Sequence, residues 1–147
     1  MRTLYFEDYV PGWSSSGGAY AVTEAEVLEF GERFDSRPFH TDKAAAEASH
    51  FGGLVAPGCL VFSIRSRLGL DQDSVPQLIA GLGVEEMALP NPARPGDVLT
   101  MRQEFVEARP SASKPDRGVV RVRSVVENQR GEPVLTLVAK LLVARRG

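Results

Sequence analysis

The chain has 147 residues, 43% of them hydrophobic and 24% charged, with a formal net charge of −2 at pH 7. This composition is typical of a globular protein and excludes a disordered chain, and the mixed charges argue against a nucleic-acid partner or a membrane-surface helix. No apolar run reaches the roughly 18 residues of a membrane span, and the N-terminus lacks the apolar core of a signal peptide, so the sequence predicts a cytoplasmic protein.

Secondary-structure signals differ between the two halves of the chain, with helical patterns in the first half and strand patterns in the second. No internal repeat, low-complexity tract or long linker separates the halves. We therefore predict that residues 1–147 form one domain.

The first predicted helix begins at Thr23. Thr23 and Glu26 form a T-x-x-E capping box, and apolar residues from Val27 to Phe34 recur at helical spacing on one face. Pro38 cannot continue the helix and pushes the preceding residue toward an extended conformation, so the helix is expected to end near Phe34.

Two further helices are predicted downstream, separated by a loop. TDKAAAEAS at 41–49 predicts a short helix, and HFGGLVAPG at 50–58 predicts the loop. In GCLVFSIRSRLGL at 58–70, apolar side chains surround the first turns, which indicates a helix enclosed by protein, and Gly69 is expected to end it. Cys59 is expected to pack in the core as a small apolar residue.

From about Leu78 the hydrophobic period changes to two. Leu99 and Met101 alternate with polar or charged neighbours, and Val120 and Val122 do the same. This alternation predicts strands that pair antiparallel and expose one face to solvent.

Turn signals separate these strands. RPGD at 94–97 predicts a turn, and NQRGE at 128–132 predicts a short hairpin loop in which Gly131 supplies a positive φ. Residues 108–118 predict a longer connection. The last strand, residues 133–145, is apolar on both faces over much of its length, so we expect a central position in the sheet or a subunit contact.

Together these elements predict an α+β fold. An enclosed helix beside a long antiparallel sheet implies that the sheet curls around the helix, which is a hotdog-like arrangement. Such a sheet leaves an edge strand unpaired, and joining two copies edge to edge would remove that liability. We therefore expect a homodimer or a dimer of dimers.

The candidate chemical groups lie in FDSRPFHTD, residues 34–42. Asp35 and His40 are five positions apart in a segment predicted to be irregular, where a bend at Pro38 can bring a carboxylate and an imidazole together. Such a pair can hold a water molecule and exchange its proton near neutral pH. Alternatively, Asp35 satisfies backbone N–H groups after the helix and His40 caps the next one. The residues alone leave both interpretations open.

A longer segment, FDSRPFHTDKAAAEASHFGGLVAPG at 34–58, resembles the hydratase motif of the MaoC-like dehydratases. That family includes the R-specific enoyl-CoA hydratases, and its motif runs roughly D-x-N-P-x-H-x-D, then an alanine-rich stretch and a glycine that opens the central helix. FEDYVPGW, RPGD and NQRGEPVLT also resemble segments of this family. The resemblance therefore covers nearly the whole chain.

The resemblance implies roles for four residues. Asp35 and His40 match the catalytic pair of the family, and Gly58 matches the glycine at the start of the central helix. The backbone N–H of Gly58 would then act as an oxyanion hole for a thioester carbonyl. Ser66 matches a serine that supports the site in the R-specific hydratases.

The chain also departs from the family motif. Arg37 occupies the position of the asparagine, where it can reorient the loop or contact an acidic substrate group, and Pro57 replaces a histidine that often precedes the helix glycine. Because arginine and asparagine differ in charge and reach, this change bears on substrate preference more than on the reaction.

The implied reaction is the reversible syn addition of water to a trans-2-enoyl-CoA, giving an (R)-3-hydroxyacyl-CoA. It requires an acyl-CoA thioester as substrate and no metal or other cofactor. Two alternatives are a hotdog thioesterase and a non-catalytic subunit that binds acyl thioesters. Thioesterases of this fold normally carry a carboxylate on or near the central helix, and residues 58–70 contain none.

Several other residues have less specific interpretations. His50 is expected to be a solvent-exposed or locally bonded loop histidine rather than a second base. A basic group could contact the phosphates of coenzyme A, although isolated basic residues are usually solvated. The candidates for that contact are Arg65, Arg67, Lys114 and Arg117.

Overall fold

A computed structural model describes residues 1–147. The helices are α1 (Glu24–Phe34), α2 (Pro38–Thr41), α3 (Lys43–Glu47) and α4 (Gly58–Leu70), with a 3-10 turn at Phe6–Asp8. The strands are β1 (Arg2–Leu4), β2 (Ser14–Ala21), β3 (Ser74–Pro76), β4 (Leu78–Ala88), β5 (Val98–Pro110), β6 (Arg117–Glu127) and β7 (Pro133–Ala144). No helix is long and apolar enough to cross a membrane.

The main sheet has five strands in the order β2-β5-β6-β7-β4. All neighbouring strands in it pair antiparallel, and β1 and β3 form a separate parallel pair. The predicted antiparallel pairing and the central position of the last strand are therefore confirmed. The turns predicted at 94–97 and 128–132 are present as well, and Gly131 has a φ of 76°. The connection predicted at 108–118 is shorter, because β5 extends to Pro110 and β6 begins at Arg117.

The core lies between one face of this sheet and α4. Leu99, Met101, Val120 and Val122 are buried, as their alternation predicted, and they belong to the same apolar cluster as the buried side chains of α4. The α4 side chains in this cluster are Leu60, Val61, Ile64 and Leu68. A sheet packed around a central helix confirms the predicted α+β hotdog fold.

The side of α4 that faces away from the sheet is exposed to solvent, so the prediction of a helix enclosed on all sides was wrong. Cys59, Ser63 and Ser66 are exposed, and Cys59 is not a core residue as expected. The five strands cover one side of the helix, and α1 contacts it through Phe30, but these elements leave part of its surface open. Gly69 lies within α4, which ends at Leu70.

Helix α1 follows its predicted boundaries. The Thr23 side chain accepts a hydrogen bond from the Glu26 N–H at 3.2 Å, so the predicted N-cap is confirmed. The Glu26 carboxylate does not complete the capping box, because it accepts a hydrogen bond from the Tyr20 hydroxyl at 2.7 Å. Phe34, expected on the apolar face, is 61% exposed.

The sheet ends at β4, which has no second neighbour. Apolar side chains along this edge strand and just after it are 40–51% exposed, and they are Leu78, Ile79, Leu82, Val84, Met87 and Leu89. A long edge strand with exposed apolar side chains favours pairing with a strand of another chain.

Candidate active site

His40 lies in the single helical turn α2, between α1 and α3. Pro38 ends α1 and occupies the first turn of α2, where its missing N–H costs nothing and its fixed φ suits a helix. The segment was predicted to be irregular, so this turn corrects that expectation. It holds the His40 side chain in the protein interior, with 6% of the residue exposed.

The tautomer of His40 follows from its contact with Val55. The imidazole Nδ1 lies 2.6 Å from the Val55 carbonyl oxygen. Because a carbonyl can only accept, Nδ1 carries the proton, and the neutral ring therefore has its lone pair on Nε2. The ring also packs edge-on against Phe39, with 4.5 Å between the ring centroids. These two contacts fix both the orientation and the protonation pattern of the imidazole.

Asp35 follows directly after α1, and its carboxylate lies beside the free nitrogen of His40. The distance from Asp35 Oδ2 to His40 Nε2 is 3.4 Å, which is longer than a direct hydrogen bond. The other carboxylate oxygen, Oδ1, accepts a hydrogen bond from Arg37 Nη1 at 2.5 Å. The carboxylate thus stands between a guanidinium and an imidazole.

This environment lowers the pKa of the Asp35 carboxyl. Partial desolvation acts to raise the pKa, but the hydrogen bond from Arg37, the charge of the imidazolium when His40 is protonated, and the charge of Arg37 together outweigh it. Asp35 therefore stabilises the folded chain above the unfolded pKa of about 3.9, and this contribution is lost as the pH falls through the lower folded pKa.

Arg37→Met is expected to raise the pKa of Asp35, because it removes the hydrogen bond and the charge that favour the carboxylate. Asp35 should then contribute less stability, and the loss of this smaller contribution on acidification should be complete at a higher pH. The measurement is a ¹³C NMR titration of the aspartate carboxyl carbons. Arg33→Met is the matched control, since Arg33 is exposed and forms no ion pair. An identical Asp35 titration in Arg37→Met and wild type would contradict this account.

Gly58 opens α4 at a pocket that His40 also lines. The pocket has a volume of about 370 Å³, and its walls include Val61 and Leu89. The Gly58 N–H donates to no protein acceptor, as expected for the first residue of a helix. The pocket therefore combines an imidazole, a free backbone donor and the positive end of a helix dipole.

This combination can act on a polarised carbonyl compound. A free N–H at a helix N-terminus stabilises negative charge that develops on a carbonyl oxygen. An imidazole of fixed tautomer can accept a proton near neutral pH, and a neighbouring carboxylate stabilises the resulting imidazolium. Asp35 contacts His40 but is not itself among the residues that line the pocket.

Most of the chain also matches the model of a known protein family. The family model described as "MaoC like domain" matches residues 16–128. The chain belongs to the MaoC-like domain family.

The chain is also similar to individual proteins in sequence or in fold. The crystal structure of the MaoC-like dehydratase from Rhodospirillum rubrum is 39% identical, with a TM-score of 0.91 over 98% of this chain and 99% of that chain. A UPF0336 protein of Streptomyces avermitilis is 33% identical over 134 residues, which cover 84% of each protein. R-hydratase PhaJ1 from Pseudomonas aeruginosa shares the fold at 22% identity, with a TM-score of 0.72 over 97% of this chain and 86% of that one.

The sequence also singled out Ser66, through the resemblance, and Arg37, as a departure from the motif, and neither lines the pocket of His40 and Gly58. Ser66 is exposed on α4 and lines a different pocket toward the other end of that helix. The Arg37 side chain is largely exposed and contacts the site only through Asp35, while the Arg37 backbone carbonyl accepts a hydrogen bond from the His40 N–H at 2.9 Å. His50, which was set aside as a solvent-exposed histidine, is exposed and also lines the pocket of His40.

Two residues of the MaoC-like site were missed in the sequence. Val55 fixes the His40 tautomer through its carbonyl, which no side-chain pattern could reveal. Gly31 lies in α1 where a Cβ atom would be 2.9 Å from the His40 carbonyl oxygen, so only glycine lets α2 pack this closely. An isolated glycine inside a predicted helix was the signal available for Gly31, because such a glycine usually has a packing or functional reason.

Proposed function

We propose that this MaoC-like protein is a hydratase or dehydratase of acyl thioesters that adds water reversibly to a trans-2-enoyl-CoA. The product is an (R)-3-hydroxyacyl-CoA. The observation that carries the proposal is the placement of His40, with its fixed tautomer, and the free N–H of Gly58 on one pocket. The fold shared with R-hydratase PhaJ1 is consistent with this reaction.

In the proposed mechanism, the thioester carbonyl oxygen accepts a hydrogen bond from the Gly58 N–H. A water molecule held beside Asp35 and His40 loses a proton to His40 Nε2 as its oxygen bonds to C3. The electron pair of the C2–C3 double bond moves toward the thioester oxygen, where the helix N-terminus stabilises the enolate. The imidazolium then returns its proton to C2 from the same face, which gives syn addition.

Asp35 acts on the imidazole in this mechanism. Its carboxylate lies 3.4 Å from Nε2, close enough to stabilise the imidazolium and to share the water. The hydrogen bond and the positive charge of Arg37 favour the ionised form of the Asp35 carboxylate. If the two groups titrate together, a pH–rate profile reports the pair rather than either residue.

The substrate itself carries coenzyme A, and the mechanism uses no separate cofactor or metal. A thioesterase would instead need a nucleophile or a base positioned at the carbonyl carbon. The central helix α4 contains no aspartate or glutamate that could serve in this way. Hydration is therefore the better fit to the residues on the pocket.

Incubation with crotonyl-CoA tests the proposal. A hydratase removes the absorbance of the conjugated enoyl thioester and releases no thiol, whereas a thioesterase releases free coenzyme A that a thiol reagent detects. Chiral analysis of the product identifies the (R) or (S) alcohol. Loss of absorbance with an (R) product supports the proposal, and thiol release without hydration overturns it in favour of a thioesterase.

The proposed enzyme is a homodimer joined through the exposed edge strand β4. Leu82→Lys is expected to shift the protein from twice 16.0 kDa toward 16.0 kDa, because a lysine on the edge opposes strand pairing. Light scattering coupled to size-exclusion chromatography measures the mass. Val106→Lys is the control, since Val106 is similarly exposed but lies on β5, which is paired on both sides. A wild-type monomer, or a Leu82→Lys dimer, would refute this interface.

A further inference from the structure

A second pocket lies toward the C-terminal end of α4 and is not used by the reaction proposed above. Its volume is about 270 Å³, and its walls are largely apolar, with Leu70, Leu78, Val122 and Leu141 among them. The polar groups on it include Arg65 and Tyr9, and no acidic side chain lines it. An arginine in an apolar pocket without an acid calls for an explanation.

Arg65 has no acidic partner for its charge, and its only charge contact is with the Phe62 ring, 5.9 Å away. It forms no ion pair and no hydrogen bond, and its buried Nε–H has no acceptor. Burial lowers the pKa of this guanidinium. The other arginines that lack both an ion pair and a hydrogen bond are exposed to solvent, and they are Arg33, Arg102 and Arg109. A partly buried charge without an anionic partner is costly, so the position of Arg65 points to an anion that binds there.

Tyr9 offers a second donor on the same pocket. The residue is 4% exposed, and its hydroxyl has no hydrogen-bond partner in the protein. Burial, together with the negative charge of Asp8, raises the pKa of the Tyr9 hydroxyl, which therefore stays protonated and able to donate. A carboxylate has two oxygens and can accept from a guanidinium and a hydroxyl at once.

The two pockets lie along one face of α4. Gly58 lines the first and Arg65 the second, and seven residues of helix place them on the same face about 10 Å apart. Phe62 is one turn after Gly58 and partly buried, and its ring lies 5.9 Å from the Arg65 guanidinium carbon. An acyl chain that starts at Gly58 and runs along this face therefore leads toward Arg65.

We propose that the second pocket binds a carboxylate at the far end of the acyl chain, so that the preferred substrates are coenzyme A monothioesters of dicarboxylic acids. Arg65 and Tyr9 would hold the carboxylate, and the apolar walls would contact the methylene groups. This inference rests on the proposed function for the position of the thioester. The apolar walls favour a carboxylate on an alkyl chain over a phosphate of coenzyme A, which is strongly hydrated.

The test measures binding rather than turnover. Isothermal titration calorimetry compares saturated dicarboxylic monothioesters (adipoyl-, suberoyl- and sebacoyl-CoA) with methyl-terminated thioesters of the same length. We expect the wild type to bind at least one carboxyl-terminated ligand about 10-fold or more tightly than its methyl-terminated partner, because the carboxylate accepts charge-assisted hydrogen bonds that a methyl group cannot. Arg65→Met should remove this preference and leave binding of the methyl-terminated ligands unchanged.

Arg67→Met is the matched control on the same helix, because Arg67 is exposed and pairs with Asp71 at 3.3 Å. It should keep the wild-type preference. Equal binding of the two ligand classes to wild type overturns the inference. So does an equal loss of both classes in Arg65→Met, which would place a phosphate of coenzyme A at Arg65. A lower solution mass for Arg65→Met would also overturn it, by showing that Arg65 pairs with a second copy of the chain.

These outcomes separate the inference from the proposed function. The saturated ligands cannot be hydrated, so their binding preference is measured even if the crotonyl-CoA assay fails. Conversely, hydration of crotonyl-CoA without any preference for a terminal carboxylate would retain the proposed reaction and reject the role of Arg65.

Discussion

Asp35→Asn and His40→Asn are each expected to lower the turnover of an enoyl-CoA by about 10²-fold or more, the scale of general acid–base catalysis. Asparagine keeps the approximate size of both side chains but cannot exchange a proton near neutral pH. In His40→Asn the site loses its base, and in Asp35→Asn the imidazolium loses its neighbouring negative charge. The measurement is kcat and KM with crotonyl-CoA, taken on variants whose circular dichroism matches wild type.

His50→Asn is the control for this pair of variants. His50 lines the same pocket, but it is exposed, and no carboxylate or backbone carbonyl fixes its ring as Val55 fixes that of His40. Its replacement should change kcat less than about 3-fold, well below the acid–base effect. A large loss in His50→Asn with nearly normal rates in His40→Asn would assign the base to His50. Equal rates in all variants would favour a protein that binds thioesters without converting them.

The sequence predicted correctly those features that depend on residues close together in the chain. The Thr23 cap, the Gly131 hairpin and the alternation around Leu99 each depend on residues only a few positions apart, and each is present as expected. Strand β2 was missed because SSSGGAYA carries serines and glycines, which are poor strand formers. Its extended conformation comes from pairing with β5, a contact between segments far apart in the chain.

The site was predictable only in part for the same reason. Asp35 and His40 are close in sequence, and the break at Pro38 made their proximity one of two interpretations, the other being that each residue caps a helix. The contact that fixes the His40 ring joins it to Val55, 15 positions away, through a backbone carbonyl that every residue possesses. No side-chain pattern encodes such a contact.

The open side of α4 shows how an apolar pattern can be overinterpreted. Apolar residues on all sides of a helix indicate burial but not which molecule provides it. Here the sheet covers the side with Leu60, Ile64 and Leu68, while Cys59 and Ser66 remain exposed. In the proposed dimer and substrate complex, part of this remaining surface is available to a second subunit or an acyl chain.

Gly31→Ala is expected to destabilise the fold by about 1–3 kcal/mol, the usual cost of overpacking a core, and to lower turnover by about 10-fold or more through displacement of His40. Alanine alone would favour α1 by about 1 kcal/mol over glycine. Its Cβ, however, would lie 2.9 Å from the His40 carbonyl oxygen and 3.0 Å from the His40 Cβ. Helix α2 must move away, and the His40 ring moves with it relative to Asp35 and Val55.

Urea unfolding and steady-state kinetics measure the two effects of Gly31→Ala, and Gly69→Ala is the control for helix propensity. Gly69 also lies within a helix, but its nearest neighbour would be 3.9 Å from a new Cβ, an ordinary contact. Its replacement should leave stability unchanged or raise it by up to about 1 kcal/mol. A loss of stability in Gly31→Ala without a loss in Gly69→Ala would be due to the contact with α2, because both variants gain the general preference of helices for alanine. A Gly31→Ala variant that is more stable than wild type and fully active would show that α2 can shift without moving His40, and that Gly31 does not position the base.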